Sequence, residues 1–556
     1  MTVASMLGLR TATPFVVGDL SAPVGTKTAT TIESGDVGDG VRDGDWVTRW
    51  NWLMQWGEGC IKPAELEALR HEGDPLCDAV VRFFNLKTGQ DALKALETYI
   101  ATTPCEDWNT DVASFWDSIA CDPPGEVCAL ARPGQSYSFD DNVSIGKGKE
   151  KAVEQDAPND EFEYTPDKAM RRLNRKPAPV LSEGQAVFWR YSSGMLTTLL
   201  HFSLAGGFAS ARIMSVLYET GYLTSPSRDA TYRRLMETTQ ALIDFMGDMK
   251  PITGKGWKSA VRVRMLHSQV RLKILDGRSR LNTYSVEKDG IPINQEDLAA
   301  TLGGFCMAPL WCQRRLGIHL SPQEELAFIA AWRHIGYYLS IKPDLLTRFY
   351  GTNNTTTSTR SHRFFACVAF HLFRPELPKD PFATPTYTIL HAVAHRPPQD
   401  RSTLYHCELS RFLLGQGLAD QLAVPRGTLK DQLGVQQYAW TTWASTHFGR
   451  HYRKGWEMKR QALFRRIITL IVAWQLGERR SRFAIKDEKD YEKKISELKY
   501  DEAGEPAGMK MGIEVGKEVR RHARYLFIEM GVVIAGLGAA CALALWQTTR
   551  LVGGWL

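Results

Sequence analysis

The chain of 556 residues sets 68 Lys and Arg against 62 Asp and Glu, a net charge of +6, with 44% hydrophobic and 23% charged residues. Those proportions fit a folded protein with a large core and exclude a disordered polyelectrolyte. The small basic excess is interleaved with acids and makes no demand for nucleic acid as a partner.

Residues 1–45 are rich in Gly, Thr, Ser and Asp without an apolar period and are expected to be disordered. Residues 46–130 open on Trp46, Trp50, Trp52 and Trp56 and continue with patterns such as "PAELEALRHEGDPLCDAVVRFF", which predict a helical N-terminal segment packed on another part of the protein. Residues 131–179 are polar and charged and read as a linker. From 180 to 480 one helical pattern follows another, so the class is mainly α. The run "FWRYSSGMLTTLLHFSLAGGFASARIMSVLYETGYL" is apolar nearly all round, but it contains Arg190, His201 and Arg212. Charges inside a membrane span are costly, and buried core helices are the reading preferred.

Helix starts are legible further on. "SPSRDATYRRLMETTQALIDFMGD" carries a start signal, Asn294 can cap the helix in "PINQEDLAATLGGF", and Asp297 suits its dipole. In "SPQEELAFIAAWRHIGYYLSI", Ser321, Pro322 and Glu324 make a capping box with proline in the first turn. Residues 481–525 form a charged tether, and 526–546, "LFIEMGVVIAGLGAACALALW", carry the single charge of Glu529. About twenty such residues cross a hydrocarbon core. Arg520, Arg521 and Arg524 precede this stretch and Arg550 follows it, which predicts a single-pass anchor with the body facing the cytosol. The ten cysteines include no C-x-x-C pair, and reduced thiols suit that compartment.

The residues that carry chemistry are polar groups set in these helices. In "VRVRMLHSQVR" (261–271), Val263, Leu266, Val270 and Ile274 make an apolar stripe, and Arg264, His267 and Arg271 a second one. His267 sits on the border between them. A neutral imidazole there can ligate a metal, and the arginines can offer forks to carboxylates; a half-buried histidine in a basic helix satisfies the same spacing. In "RRLMETT", Arg234 and Thr238 share a face four residues apart and can orient a substrate or a bound oxygen species; a solvated arginine and a self-bonded threonine fit equally. His391 and His395 in "HAVAH" have a two-ligand metal spacing, yet no accompanying glutamate and no further ligand. No phosphate-binding glycine loop or "GxSxG" elbow is present.

Taken together and in order, "LAGGFASARIMSVLYETGYL", "RRLMETT", "RVRMLHSQVR", "DGIPINQEDLAATLGGF" and "AAWRHIGYYLSI" resemble the catalytic domain shared by the endoplasmic-reticulum-bound oxygenase MpaB and the latex-clearing rubber oxygenases. The resemblance covers residues 180–345 well and extends loosely to 480. It implies a globin-like helical domain holding haem b, with His267 as proximal iron ligand and Arg264 and Arg271 as partners for haem propionates or for helix-packing acids. It implies further that Arg234 and Thr238 act on the functional side of the haem, with Glu219 the nearest candidate for a proton-abstracting carboxylate. A distal lysine found in a rubber-cleaving relative has no counterpart here, where Met236 and Glu237 occupy the neighbourhood. The expected activity is an oxidoreductase of specialised metabolism that uses dioxygen to cleave or oxidise a lipophilic, prenyl-type substrate, on a membrane that is expected to be the endoplasmic reticulum. The competing reading is a non-catalytic haem- or lipid-binding membrane protein on the same fold.

Overall fold

The structure, a computed structural model, describes residues 15–16, 29–31, 41–50, 52–87, 89–129, 179–223, 227–351, 358–374, 380–396, 400–476, 481, 483, 517, 520–521, 523–540 and 542–543. Residues 131–178 of the expected linker therefore lie outside the described residues, as does most of the tether. The architecture is mainly helical, as the patterning requires, with one small sheet at the start.

That sheet corrects two expectations. Strands β1 (Phe15–Val16) and β2 (Ala29–Thr31) fall within the stretch expected to be disordered, and β3 (Trp46–Arg49) and β4 (Trp52–Gln55) open the segment expected to be helical. The order is β1-β4-β3-β2, with β3 and β4 antiparallel and the outer strands parallel to their neighbours. The reason lies in tertiary contacts. Trp52 stacks on Phe202 at 5.9 Å and meets Trp311 edge-on at 5.2 Å, while the Trp50 indole N–H donates to Gln421. Aromatic residues on short strands here bury themselves in the helical body, a gain that no local pattern reveals.

Four helices follow: α1 (Pro63–Leu69), α2 (Pro75–Phe84), α3 (Ala92–Thr102) and α4 (Thr110–Ile119). Their acids meet bases of the later helices. Glu65 pairs with Arg348, Glu72 with Lys342, Asp91 with Arg262 and Glu97 with Lys258, and Glu58 in the preceding turn pairs with Arg360. The N-terminal segment thus docks an acidic face on a basic one, and the two nearly cancel in the net charge.

The body begins with α5 (Pro179–Arg190) and α6 (Ser192–Thr198), continues through a π-helical turn (Leu199–Leu204) and Ala205–Gly207, and then enters α7 (Ala211–Thr220). The long apolar run is therefore not straight: α7 leaves at 96° to Ser192–Gly207. Ser210 caps α7 by accepting from the Ile213 N–H, and the Ala209 carbonyl freed at the bend accepts from the Arg374 N–H. Its charges are paired, Arg190 with Glu324 and Arg212 with Glu296.

Next come α8 (Arg228–Phe245), α9 (Lys255–Leu275), α10 (Gln295–Arg315), α11 (Pro322–Tyr338), α12 (Pro343–Tyr350) and α13 (Thr359–Leu372). The core runs along α10, α11 and α13, where Trp311, Trp332 and Phe364 are buried. Helix α5 lies so close to α11 that a Cβ on Gly184 would stand 2.3 Å from the Ala327 carbonyl oxygen, and only glycine permits that approach. Both anticipated caps form: Ser321 and Glu324 bond reciprocally, and so do Asn294 and Asp297. The chain closes with α14 (Pro385–Val393), α15 (Thr403–Leu414), α16 (Gln416–Gln421), α17 (Leu429–His451) and α18 (Lys454–Leu476). A final helix spans Ala523–Ala540, is apolar and long enough to cross a membrane, and is almost entirely exposed. Trp456 and Arg453 touch its first turns, donating to the Leu526 carbonyl and to Glu529.

Candidate functional site

Helices α8 and α9 form a tight hairpin, and it carries most of the residues singled out from the sequence. Gly256 allows the return, since a Cβ there would lie 2.4 Å from the Asp244 carbonyl oxygen. A buried bond from Ser259 Oγ to Asp244 Oδ2, 2.7 Å long, fixes the register. Eight residues outward from that bond stand Met236 on α8 and His267 on α9. Arg234, Glu237 and Thr238 are therefore at the level of His267 along the hairpin, about 12 Å from the register bond at 1.5 Å per residue.

His267 is half-buried in α9, and its Nδ1 is buried without a hydrogen-bond partner among the described residues. Burial, with the nearby charge of Arg271, lowers its pKa to about 4, so the ring is neutral and keeps a lone pair for a ligand at neutral pH. An orphaned imidazole nitrogen costs free energy unless something binds it, which fits the ligand role assigned to haem iron.

The two arginines do something else. Arg264 donates through Nε and Nη2 to Asp74 at 2.6 and 3.0 Å and stands over the Phe115 ring. Arg271 reaches Asp78 at 2.6 Å and the carbonyls of Pro292 and Ile293 at 3.0 and 2.9 Å, and Ser268 also donates to Asp78. The polar stripe of α9 is thus Arg264, Ser268 and Arg271, turned onto α2, and His267 lies beside it on the helix. Of the two partners the sequence allowed the arginines, the helix-packing acids are the ones they meet. A cavity of about 630 Å³ opens on this side, lined by Asp74, Arg264, Arg271, Tyr337 and Lys342 among others; neither His267 nor Arg234 lines it.

On α8, Arg234 Nη1 donates to Glu237 Oε2 at 2.8 Å, and its guanidinium lies 5.3 Å from the Tyr222 ring centroid. Tyr222 Oη stands 3.2 Å from Thr238 Oγ1, which also bonds the Arg234 carbonyl at 3.3 Å. Burial and the charge of Glu237 raise the Tyr222 phenol, so it stays protonated. Arg234 and Thr238, placed on one face by their spacing, are brought together with two residues that sequence reasoning passed over as functional. Glu237 is buried despite its charge, and a carboxylate one residue before Thr238 in an otherwise neutral stretch was the available signal.

Glu219 is held in a cage of hydrogen bonds. Its carboxylate accepts from Ser279 Oγ, the N–H groups of Leu281, Asn282 and Thr283, and Thr283 Oγ1, all between 2.7 and 3.0 Å. Burial alone would raise this carboxyl, but the bonds from Ser279 and Thr283 outweigh it and bring the pKa to about 2. A carboxylate so saturated anchors the 279–283 loop and makes a poor proton acceptor. The paired histidines are also separated. α14 ends at Val393, His391 bonds Thr403, and His395 lies past the helix end at φ 57°, exposed beside Asp400. Among the described residues no group of three or more His, Cys, Asp or Glu side chains is placed to hold a metal ion.

The hairpin thus sets a neutral histidine with an unpaired buried nitrogen at the level of an arginine, a threonine and a buried carboxylate. Residues 189–444 match the family described as ER-bound oxygenase mpaB/B'/Rubber oxygenase, catalytic domain. A solved structure described as latex clearing protein LCP in the closed state is similar at 15% identity, over 75% of this chain and 95% of that one, with a TM-score of 0.45. No curated protein matches the chain.

Proposed function

We propose that the protein is a haem-dependent oxygenase acting with dioxygen on a lipophilic, prenyl-type substrate, held at a membrane by its C-terminal helix. The observation that carries this reading is the buried, unpartnered Nδ1 of His267, level with Arg234, Glu237 and Thr238 inside the family's own segment. His267 would hold haem b, and the bound haem supplies the binding and activation of dioxygen.

The chain's own residues do the rest. Arg234 brings a fixed positive charge to the site, steadied by Glu237 and by the Tyr222 ring. Thr238 Oγ1 and Tyr222 Oη form a hydroxyl pair through which a proton can be handed on, with the charge of Glu237 acting on the phenol. The apolar helix Ala523–Ala540, preceded by Arg520 and Arg521, suits an anchor that keeps the body on the cytosolic face, beside the lipid where such a substrate dissolves. Oxidative cleavage of an isoprenoid double bond adds both oxygen atoms across C=C and yields an aldehyde and a ketone.

The test is turnover of a panel of prenylated lipids by the full chain, with carbonyl products read by mass spectrometry. Arg234→Ala and Thr238→Ala are expected to bind haem as the wild type does and to lose about 10²-fold in turnover, the usual size of a lost proton-transfer or positioning group. Full activity in both variants would remove these residues from the site. A haem protein that turns over no member of the panel would favour a carrier over an enzyme.

A further inference from the structure

The turn between β4 and α1 lies flat on the first half of α13. A Cβ on Gly59 would stand 2.5 Å from the Arg360 Cα, so the two backbones are in direct contact. Arg363 donates to the Glu58 carbonyl at 3.3 Å, and Arg360 pairs with Glu58 at 2.7 Å. Cys60 is the next residue of the turn, and Cys367 lies one helical turn beyond Arg363. Each thiol affects the titration of the other across this contact, and both are free. Cys60 is half-buried and open to small reagents, whereas Cys367 is 3% exposed.

We propose that Cys60 and Cys367 are a modification site, a reversible disulfide formed by reaction with a hydroperoxide, which staples the N-terminal segment to the catalytic domain. Cys60 reacts first because a hydroperoxide reaches it. Its sulfur attacks the peroxide oxygen, the O–O bond breaks, an S–O bond forms, and the departing oxygen leaves with the thiol proton as water or alcohol. Cys367 then attacks the sulfenic sulfur: the S–S bond forms, the S–O bond breaks, and the Cys367 proton goes out with the hydroxide as water. The two thiols have given two electrons to one hydroperoxide. The local charges agree with this order. The hydrogen bond from Cys367 lowers the Cys60 thiol against the opposing effect of burial, with help from the Gly57 backbone and Arg363. Burial raises Cys367 itself, which leaves Cys60 as the thiolate-forming member of the pair.

The bond would join residues 307 positions apart in sequence, closing a long loop and stabilising the docked segment. The experiment treats purified full-length protein with hydrogen peroxide, blocks free thiols with an alkylating reagent, and maps disulfide-linked peptides by mass spectrometry without reduction. A peptide joining Cys60 to Cys367 is expected, lost on reduction and absent from Cys60→Ser and Cys367→Ser. Oxidation should also raise the melting temperature of the wild type and leave that of Cys60→Ser unchanged. Cys60 recovered as a sulfinic acid beside an alkylated Cys367 would overturn the proposal. A linked peptide with no rise in melting temperature would overturn the staple.

Discussion

At the scale of single residues, what each histidine nitrogen meets decides its use. His201 bonds the Thr197 carbonyl through Nδ1 and His406 through Nε2, and His362 accepts from Trp311 and contacts Ser358. Those rings are committed to packing, and His267 leaves a buried nitrogen unpaired. Burial has a second consequence. It lowers His201 to about 4 and, with Arg333 beside it, His334 to about 3, against 6.5 in an unfolded chain. Both are neutral when folded, so below pH 6.5 the unfolded chain takes up protons that the folded one refuses. Their stabilising effect is whole above pH 6.5 and is lost as the pH falls toward 4, by roughly 2 kcal/mol per histidine between pH 7 and pH 5. Denaturant titrations at those two pH values should show the midpoint falling, and equal midpoints would contradict the account. The sequence made His267 legible as a border residue, but not its orphaned nitrogen, which depends on everything packed around the ring. The setting of Glu219 was not legible, because its five donors lie some sixty residues downstream. Glu237 was overlooked because a charged residue in a helix ordinarily faces water.

At the scale of elements, α9 serves two neighbours at once. One face carries Arg264, Ser268 and Arg271 into α2, and the adjoining face carries His267 at the level of the α8 cluster. The ion pair of Arg264 with Asp74 is the clearest joint. Burial alone would raise the Asp74 carboxyl, yet Arg264 beside it holds it below the usual carboxylate range. Replacing Asp74 with Ala leaves a buried guanidinium without its counter-ion, and a loss of about 3–5 kcal/mol in unfolding free energy is expected. Guanidinium denaturation of the full-length variant checks this, and a loss below about 1 kcal/mol, the size of an exposed pair, would contradict the joint. Helix starts were readable because caps are local: Asn294 and Ser321 are both where their spacing predicts. The hairpin of β3 and β4 was hidden, because four-residue strands are held by tryptophans reaching across the fold and leave no period to read.

At the scale of the whole molecule, an acidic N-terminal segment is clasped to a basic catalytic body, and an exposed apolar helix leaves that body at its end. The class of the fold and the order of its motifs were legible from periodicity and from the family resemblance. The clasp was not, because each ion pair joins residues far apart in sequence. The exposed apolar face of Ala523–Ala540 includes Phe527, Val532 and Leu537, a surface that water does not favour. Ending the chain before Ala523 is expected to move it from the membrane pellet to the supernatant in high salt. Retention in the pellet would assign the anchoring to another surface.

The absorption spectrum of the purified full-length protein, alone and as His267→Ala, tests the central claim most directly. A strong Soret band in the wild type, abolished in a variant with unchanged helical circular dichroism, is the result this structure predicts. A wild type that takes up no haem on reconstitution, or a variant whose band is unaltered, would contradict it.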